Sequence, residues 1–446
     1  MVTSSFPISV AVFALITLQV GTQDSFIAAV YEHAVILPNK TETPVSQEDA
    51  LNLMNENIDI LETAIKQAAE QGARIIVTPE DALYGWKFTR ETVFPYLEDI
   101  PDPQIWSHTS TSKTQLPGQG QLYLCLGKFG RFGIFTCFDI FFYDPGVTLV
   151  KDFHVDTILF PTAWMNVLPL LTAIEFHSAW AMGMGVNLLV ANTHHVSLNM
   201  TGSGIYAPNG PKVYHYDMKT ELGKLLLSEV DSHPLSSLAY PTAVNWNAYA
   251  TTIKPFPVQK NTFRGFISRD GFNFTELFEN AGNLTVCQKE LCCHLSYRML
   301  QKEENEVYVL GAFTGLHGRR RREYWQVCTL LKCKTTNLTT CGRPVETAST
   351  RFEMFSLSGT FGTEYVFPEV LLTEIHLSPG KFEVLKDGRL VNKNGSSGPI
   401  LTVSLFGRWY TKDSLYSSCG TSNSAITYLL IFILLMIIAL QNIVML

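Results

Sequence analysis

The order of elements at the start of the chain constrains the fold most. A strand pattern is followed by a long amphipathic helix and then by a second strand. The first strand is expected over 26–31, and a helix begins near Ser46, which can cap it. Apolar residues then repeat every three or four positions as far as Gln71. The second strand, 73–77, is followed by Glu80. Because a crossover helix joins parallel strands, this order predicts an α/β fold.

The same alternation of strand and helix patterns resumes downstream and then stops. Past about residue 235 the sequence changes to short strand-like runs with many cysteines, which is typical of a β-rich, disulfide-linked domain. The patterns therefore predict two domains, at 23–235 and 236–416. In the first domain, strands are expected over 132–136, 155–160 and 186–192, and helices over 145–153 and 168–183.

Nine cysteines divide into one cluster and three isolated residues. The cluster predicts a disulfide framework, although spacing alone does not decide how its members pair. Cys137 lies outside the cluster, at the end of a strand pattern, where a free thiol can do chemistry. Cys125 and Cys419 are isolated as well. The clustered cysteines are Cys287, Cys292, Cys293, Cys328, Cys333 and Cys341.

Both ends of the chain carry apolar runs. Residues 1–22 predict a secretory signal peptide, because the run is too short to span a bilayer and ends in small residues. Residues 417–446 predict a glycosylphosphatidylinositol (GPI) attachment signal, in which small polar residues precede an apolar tail. Cys419 is the expected anchor residue, with Ser418 and Asn423 as alternatives. The competing interpretations are a buried N-terminal element and a C-terminal membrane-spanning helix.

The net charge bears on the partners of the chain, and the sequons agree with export. The formal net charge of -7 at pH 7 argues against general nucleic-acid binding. Six Asn-x-Ser/Thr sequons in an exported chain predict glycosylation. The expected location is the extracellular face of the plasma membrane, with a GPI lipid as the membrane contact. The sequon asparagines are Asn39, Asn199, Asn273, Asn283, Asn337 and Asn394.

Glu80 and Cys137 each follow a predicted strand, one with a carboxylate and the other with a thiol. A thiol that attacks an amide carbon needs a base that takes its proton and later delivers it to the leaving amine, as Glu80 can. The backbone N–H of Phe138 would be one oxyanion donor, and a nearby cation, usually lysine, the second. The pattern predicts acyl transfer with Cys137 as nucleophile, without a metal or cofactor.

Three stretches together resemble the carbon–nitrogen hydrolase (nitrilase) superfamily, and within it the vanin pantetheinases, most of all their GPI-anchored members. These stretches are 78–80, 132–139 and 160–164. The resemblance extends over nearly all of 1–103 and 129–446. It implies a nitrilase-like α-β-β-α sandwich followed by the β-rich domain. It also implies hydrolysis of a small-molecule amide, pantetheine, to pantothenate and cysteamine by a Glu-Lys-Cys triad, and Glu80 and Cys137 match two of its members.

The lysine of that triad has no counterpart in this sequence. The family places it on a strand between the Glu and Cys strands, and no lysine of 81–136 has the family's sequence context. Residues 104–124 show neither helical nor strand periodicity and predict a loop or disordered segment. We interpret the stretch near 104–128 as a replacement of family elements, which leaves the sandwich incomplete. The lysines of 81–136 are Lys87, Lys113 and Lys128.

Without the cation, the thiol is less ionised and the oxyanion loses a donor, a loss that typically slows the reaction about a hundredfold or more. The first hypothesis is therefore a pantetheinase-type amidohydrolase whose activity is lost or impaired. The second is a non-catalytic, GPI-anchored cell-surface glycoprotein in adhesion or migration, with an unknown partner. The third is a biotinidase-like amidase; biotinidase is the nearest relative of the family, but it is a soluble secreted protein without a lipid anchor.

Overall fold

The computed structural model describes nine stretches of the chain, which contain twenty strands and four α-helices. The predicted signal peptide and GPI signal both lie outside these stretches and stay predictions. Among the helices described, none is both long and apolar enough to cross a bilayer. The described residues are 24–39, 41–97, 123–127, 129–234, 244–253, 261–318, 323–393, 395 and 398–414.

Nine strands of the first region belong to one forked sheet. They are β1 (Ser25–Ala34), β2 (Ile75–Val77), β3 (Tyr123–Gly127), β4 (Gly130–Ile134), β5 (Thr157–Thr162), β6 (Asn187–His194), β7 (Ser203–Ala207), β8 (Gly210–His215) and β9 (Lys224–Asp231). The fork lies at β1 and β6, which pair in parallel. From there β1 pairs with β2 and β9, whereas β6 pairs with β5 and β7. The carboxyl ends of β2 and β5 point the same way, because both belong to the parallel part of the sheet.

The two branches of the sheet form layers around an apolar core. Phe26 and Val30 of β1, Ile205 of β7 and Leu226 of β9 are buried in it. Helix α1 (Gln47–Glu70) packs on β1 and β9, and helix α3 (Ala173–Met184) packs on β7 and β8. The two short helices are α2 (Thr148–Lys151) and α4 (Ala248–Thr252). The layers follow the order α-β-β-α, and the predicted α/β class is confirmed.

Helix α1 begins as its sequence predicts. The N–H of Asp49 donates to Oγ of Ser46 at 3.1 Å, and that hydroxyl donates to Oδ2 of Asp49 at 2.8 Å. These bonds satisfy groups at the helix start that lack a partner within the helix. The helix ends at Glu70, and Gly72 follows with a φ of 83°, in the left-handed region that glycine tolerates. Its buried face includes Leu61 and packs on the sheet.

Two sequence predictions are wrong in detail. The loop expected over 104–124 ends before β3, which pairs antiparallel with β4 from residue 123 onwards; 104–122 lie outside the described residues. A five-residue apolar run is too short for periodicity to separate a strand from a loop. The helix expected over 168–183 begins only at Ala173, because Pro169 lacks an N–H and disfavours helix in the residue before it. Oδ1 of Asn166 accepts from the N–H of Ala173 at 2.7 Å and completes the helix start.

The second region consists of two antiparallel sheets. The six-stranded sheet has the order β10-β11-β14-β15-β20-β17, and the five-stranded sheet has the order β12-β13-β16-β19-β18. Their strands are β10 (Phe263–Ile267), β11 (Asp270–Glu276), β12 (Ala281–Gln288), β13 (Leu291–Gln301), β14 (Tyr308–Leu316), β15 (Tyr324–Lys332), β16 (Arg351–Gly359), β17 (Val366–Leu372), β18 (Phe382–Val384), β19 (Leu390–Asn392) and β20 (Ile400–Arg408). Side chains of both sheets share one buried cluster, so the sheets pack face to face.

The six clustered cysteines form three disulfides, which confirms the predicted framework. Cys293–Cys328 joins β13 to β15 and so links the two sheets. The other two bridges close short loops, with sequence separations of 5 and 8. Those two bridges are Cys287–Cys292 and Cys333–Cys341.

The two regions share a buried interface. Helix α3 packs on β17, and Phe176 of α3 contacts the rings of Phe406 and Phe367 with centroid distances of 5.4 and 6.2 Å. One apolar cluster therefore extends from the sandwich into the six-stranded sheet. The predicted boundary at 235 lies within residues 235–243, outside the described stretches, and stays a prediction.

Candidate active site

Glu80 lies three residues beyond the end of β2, where Pro79 prevents the strand from continuing. The hydroxyl of Thr193 donates to the main-chain carbonyl of Glu80 at 2.8 Å. The N–H of Ala163, just past the end of β5, donates to Oε2 of the Glu80 carboxylate at 3.2 Å. Two neighbouring parallel-strand ends thus fix both the backbone and the side chain of Glu80.

Cys137 begins a short 3-10 helix, Cys137–Phe141, shortly after β4 ends. Its φ of 49° lies in the left-handed region, which non-glycine residues rarely adopt and which is enriched at functional sites. The turn is held at its start, because the N–H of Thr136 donates to Oδ2 of Asp139 at 3.1 Å. Cys137 is a free thiol, as predicted, and is half-buried.

The structure brings Glu80 and Cys137 together, because each side chain affects the pKa of the other. Burial raises the pKa of the Glu80 carboxyl, although hydrogen bonds from Cys137 and Ala163 partly oppose the rise. Burial also raises the pKa of the Cys137 thiol, and the negative charge of Glu80 adds to that rise. At neutral pH the thiol therefore keeps its proton, and it lies beside a carboxyl group that can accept this proton when ionised.

Phe138 follows the thiol at the start of the same helix. Its ring is 53% exposed, and its N–H is among the first of the helix, which have no acceptor within the helix itself. A free N–H next to the nucleophile suits an oxyanion donor. The position agrees with the predicted role, and the role itself stays a prediction.

No lysine acts on this pair among the residues that the structure describes. Lys87 lies in the loop after Glu80 and is exposed, whereas Lys113 and Lys128 fall outside the described stretches. The charged groups that act on the pKa of Glu80 are Asp81 and Asp139, both of them acids. The described site therefore holds a thiol and a carboxyl group without a neighbouring cation.

Two groups that fix the site were missed at the level of sequence: the Ala163 N–H and the Thr193 hydroxyl. Ala163 contributes only its backbone, so its side chain carries no signal. Thr193 is part of β6 and resembles any other buried strand threonine. The sequence signal that could have found them is their position at the ends of predicted parallel strands, where active-site groups of α/β proteins lie.

The predicted modification sites are placed as follows. Four sequon asparagines are exposed: Asn39, Asn199, Asn283 and Asn337. Asn273 is half-buried in β11, and its amide nitrogen donates to the carbonyl of Cys287 at 2.9 Å. Asn394 and Cys419 lie outside the described residues, so glycosylation and anchoring stay predictions.

A free thiol on a strained turn, beside a half-buried carboxyl group, is an arrangement that suits a thiol amidohydrolase. Residues 263–413 match the Vanin C-terminal domain. The pantetheine hydrolase VNN2 of Homo sapiens is 82% identical over 520 positions, which cover 100% of both chains. The pantetheinase of Canis lupus familiaris is 52% identical over 98% of this chain and 99% of its own. The chain belongs to the vanin (pantetheinase) family.

More distant relatives include the biotinidase of Mus musculus, which is 32% identical over 87% of this chain and 93% of its own. A solved amidase from Nesterenkonia sp. superposes with a TM-score of 0.33 at 18% identity, covering 49% of this chain and 95% of that chain. The alignment with the human pantetheine hydrolase spans 520 positions, whereas this chain has 446 residues, so at least 74 positions of the alignment hold no residue of this chain.

Proposed function

We propose that this protein is a pantetheinase-type amidohydrolase with Cys137 as nucleophile and Glu80 as base, in a form whose turnover is impaired. The observation that carries the proposal is that the side chains of Glu80, after β2, and Cys137, after β4, lie close enough to affect each other's pKa, while the N–H of Ala163 holds the Glu80 carboxylate at 3.2 Å. The names of the relatives support pantetheine as the substrate.

The chemistry proceeds in two steps. Sγ of Cys137 bonds to the amide carbon of pantetheine, the C–N bond breaks, and the thiol proton passes through Glu80 to the departing cysteamine nitrogen. Water then attacks the pantothenoyl thioester, gives its proton to Glu80, and the C–S bond breaks as pantothenate leaves and the thiol regains a proton. The N–H of Phe138 would bind the oxyanion in both steps.

The impairment follows from the charges around the pair. The raised pKa of Cys137 keeps the sulfur protonated, and no described lysine lowers that pKa or donates to the oxyanion. Loss of one oxyanion donor costs about a hundredfold to a thousandfold in rate. At least 74 positions of the alignment with the human pantetheine hydrolase hold no residue of this chain, which agrees with the loss of a segment, and we propose that this segment carried the lysine.

The second candidate is a non-catalytic surface glycoprotein on the same scaffold, and the missing cation favours it. Biotinidase-like activity has less support, since the biotinidase relative is 32% identical and the pantetheinases are 52% identical or more. For either function we propose an extracellular, GPI-anchored location. Three disulfides and four exposed sequons support export. Release from cells by a phosphatidylinositol-specific lipase tests the anchor, and retention after treatment would contradict it.

The activity is tested on the purified full chain with pantetheine, by cysteamine release and by the intact mass of the protein. We expect slow release and a pantothenoyl adduct on the peptide that contains Cys137. Cys137→Ala should abolish both, and Lys87→Met should change neither, because Lys87 is exposed and outside the pair. Cysteamine release that survives Cys137→Ala would contradict the proposal, and no detectable release or adduct would favour the non-catalytic alternative.

A further inference from the structure

Arg408 is the last residue of β20, in the C-terminal region. It is completely buried, although an arginine always carries a charge. Buried arginines are rare unless their donors are satisfied. Its guanidinium N–H groups are all used. Nη1 donates to the carbonyl of Tyr324 at 2.7 Å and to Oδ1 of Asp413 at 3.1 Å, and Nη2 donates to Oδ2 of Asp413 at 2.7 Å.

The remaining donors of Arg408 cross to the sandwich. Nε and Nη2 both donate to the main-chain carbonyl of Phe141, at 3.0 and 2.8 Å, across 267 residues of sequence. Phe141 ends the 3-10 helix that Cys137 begins. A cation that hydrogen-bonds a carbonyl at the end of a helix is favourably placed, because that end carries partial negative charge.

The side chain of Phe141 is held as well. Its ring stacks on Phe176 and Trp164 at centroid distances of 5.0 and 5.6 Å, and on Trp325 of β15 at 6.0 Å. The helix between Cys137 and Phe141 is therefore fixed at both ends, by the Thr136–Asp139 bond at its start and by Arg408 at its finish. Such double anchoring is what a strained residue needs to persist.

We propose that Arg408 is a positioning residue for Cys137: the C-terminal region holds the nucleophile turn in its left-handed conformation through the carbonyl of Phe141. The inference rests on Cys137 being the nucleophile of the proposed function. Arg408 touches neither the substrate nor the thiol in this account. Its effect passes along the helix from Phe141 back to Cys137, four residues earlier, a length of about 8 Å at the rise of a 3-10 helix. The C-terminal region is thus part of the active-site framework.

The test is the titration of the Cys137 thiol in the purified full chain, which does not require amide hydrolysis. Alkylation by iodoacetamide is followed between pH 6 and 11 by mass spectrometry of the Cys137 peptide. Arg408→Lys keeps the charge but cannot bridge Phe141, Tyr324 and Asp413 at once. We expect the midpoint of alkylation to fall by about one pH unit towards the ordinary thiol value of about 8.5, because the released turn leaves its buried contacts.

Two further variants make the result decisive. Asp413→Asn removes the charge partner of Arg408 and should shift the midpoint in the same direction by less. The matched control is Arg389→Lys, since Arg389 also pairs with an aspartate, Asp387, and lies over a tyrosine ring at 4.4 Å, against 4.5 Å for Arg408. It should leave the midpoint unchanged, because no bond links it to the sandwich among the described residues.

Each outcome decides the question. A folded Arg408→Lys protein with the wild-type midpoint would overturn the proposal. If that variant is not secreted, a wild-type midpoint in Asp413→Asn overturns it, and a lowered one supports it. A shift in the Arg389→Lys control equal to that in Arg408→Lys would also overturn it, because general loosening would then explain both. Absence of pantetheine turnover contradicts only the proposed function, since alkylation is measured without substrate.

Discussion

The two regions of this molecule differ in how completely their sheets are closed. In the C-terminal region, two sheets of six and five strands cover each other, a disulfide links them, and residues 263–413 match the family's domain. In the sandwich, β2 has three residues and pairs only with β1 among the described strands. Strand β2, which Glu80 follows, is thus an edge strand of the described sheet.

The contacts that hold Glu80 come from elements other than the edge strand β2. The N–H of Ala163 after β5 and the hydroxyl of Thr193 on β6 hold Glu80, and we propose that Arg408 on β20 holds the turn of Cys137. We propose that a lysine carried by the replaced segment has no counterpart at this site. The comparison therefore predicts a robust C-terminal region, a preserved thiol–carboxylate pair and a defect confined to charge stabilisation.

The largest effect is expected from the disulfide between the two C-terminal sheets. Replacing Cys293 and Cys328 by alanine removes a bridge with a sequence separation of 35, which contributes about 4 kcal/mol by loop-closure entropy. Replacing Cys287 and Cys292, separated by 5, should cost about 2 kcal/mol. Hydrogen exchange of the β14 and β15 amides measures the local unfolding free energy. Equal losses in the two variants would show that the sheets do not depend on the bridge between them.

A smaller loss is expected from Glu80→Gln, which keeps the shape of the base and removes its charge. Acylation of Cys137 by pantetheine, followed by mass spectrometry, should slow about a hundredfold, equivalent to about 2.7 kcal/mol. In the wild type, acylation should decline as the pH is lowered, because Glu80 becomes protonated. Since the pKa of Glu80 is raised, this decline should begin at a higher pH than it would with an ordinary carboxyl group. The control is Glu62→Gln, an exposed glutamate on α1. If Cys137 of the Glu80→Gln variant is acylated at the wild-type rate, Glu80 is not the base.

The smallest effect concerns the interface between the two regions. Glu175 of α3 and Glu369 of β17 are fully buried, and none of their four oxygens has a hydrogen-bond partner among the described groups. Burial raises the pKa of both carboxyls, and the charge of Glu175 further raises that of Glu369. The folded state therefore holds protons that the unfolded chain releases above about pH 4.3. Stability should fall as pH rises from there through the raised pKa values.

Glu369→Gln should remove part of this pH dependence. At pH 7 we expect the variant to be more stable than the wild type by about 1.4 kcal/mol for each unit of pKa elevation, and at pH 4 to be equal to it. Thermal unfolding at the two pH values measures the difference. The exposed Glu364→Gln is the control. If the wild type becomes more stable between pH 4 and 7, and Glu369→Gln is as stable as the wild type at both pH values, the two buried carboxyls do not hold extra protons in the folded state.

Local patterns predicted much of the fold and the pair at its centre. The cap at Ser46, the strand that ends before Cys137 and the disulfide framework all rest on short-range signals. Other features depend on tertiary contacts that no local pattern records. Strand β3 needs β4 as its partner, and the buried charge of Arg408 is explained only by Phe141, 267 residues away.

The proposed function holds that the thiol–carboxylate pair turns over slowly because no lysine lies beside it among the described residues. The most direct measurement is kcat/KM for pantetheine, on the purified full chain and on the human pantetheine hydrolase under the same conditions. The account predicts a value at least about a hundredfold lower for this chain, and background release for Cys137→Ala. It also predicts recovery when the missing positions of the human protein are inserted. Turnover equal to that of the human protein, lost in Cys137→Ala, would contradict it.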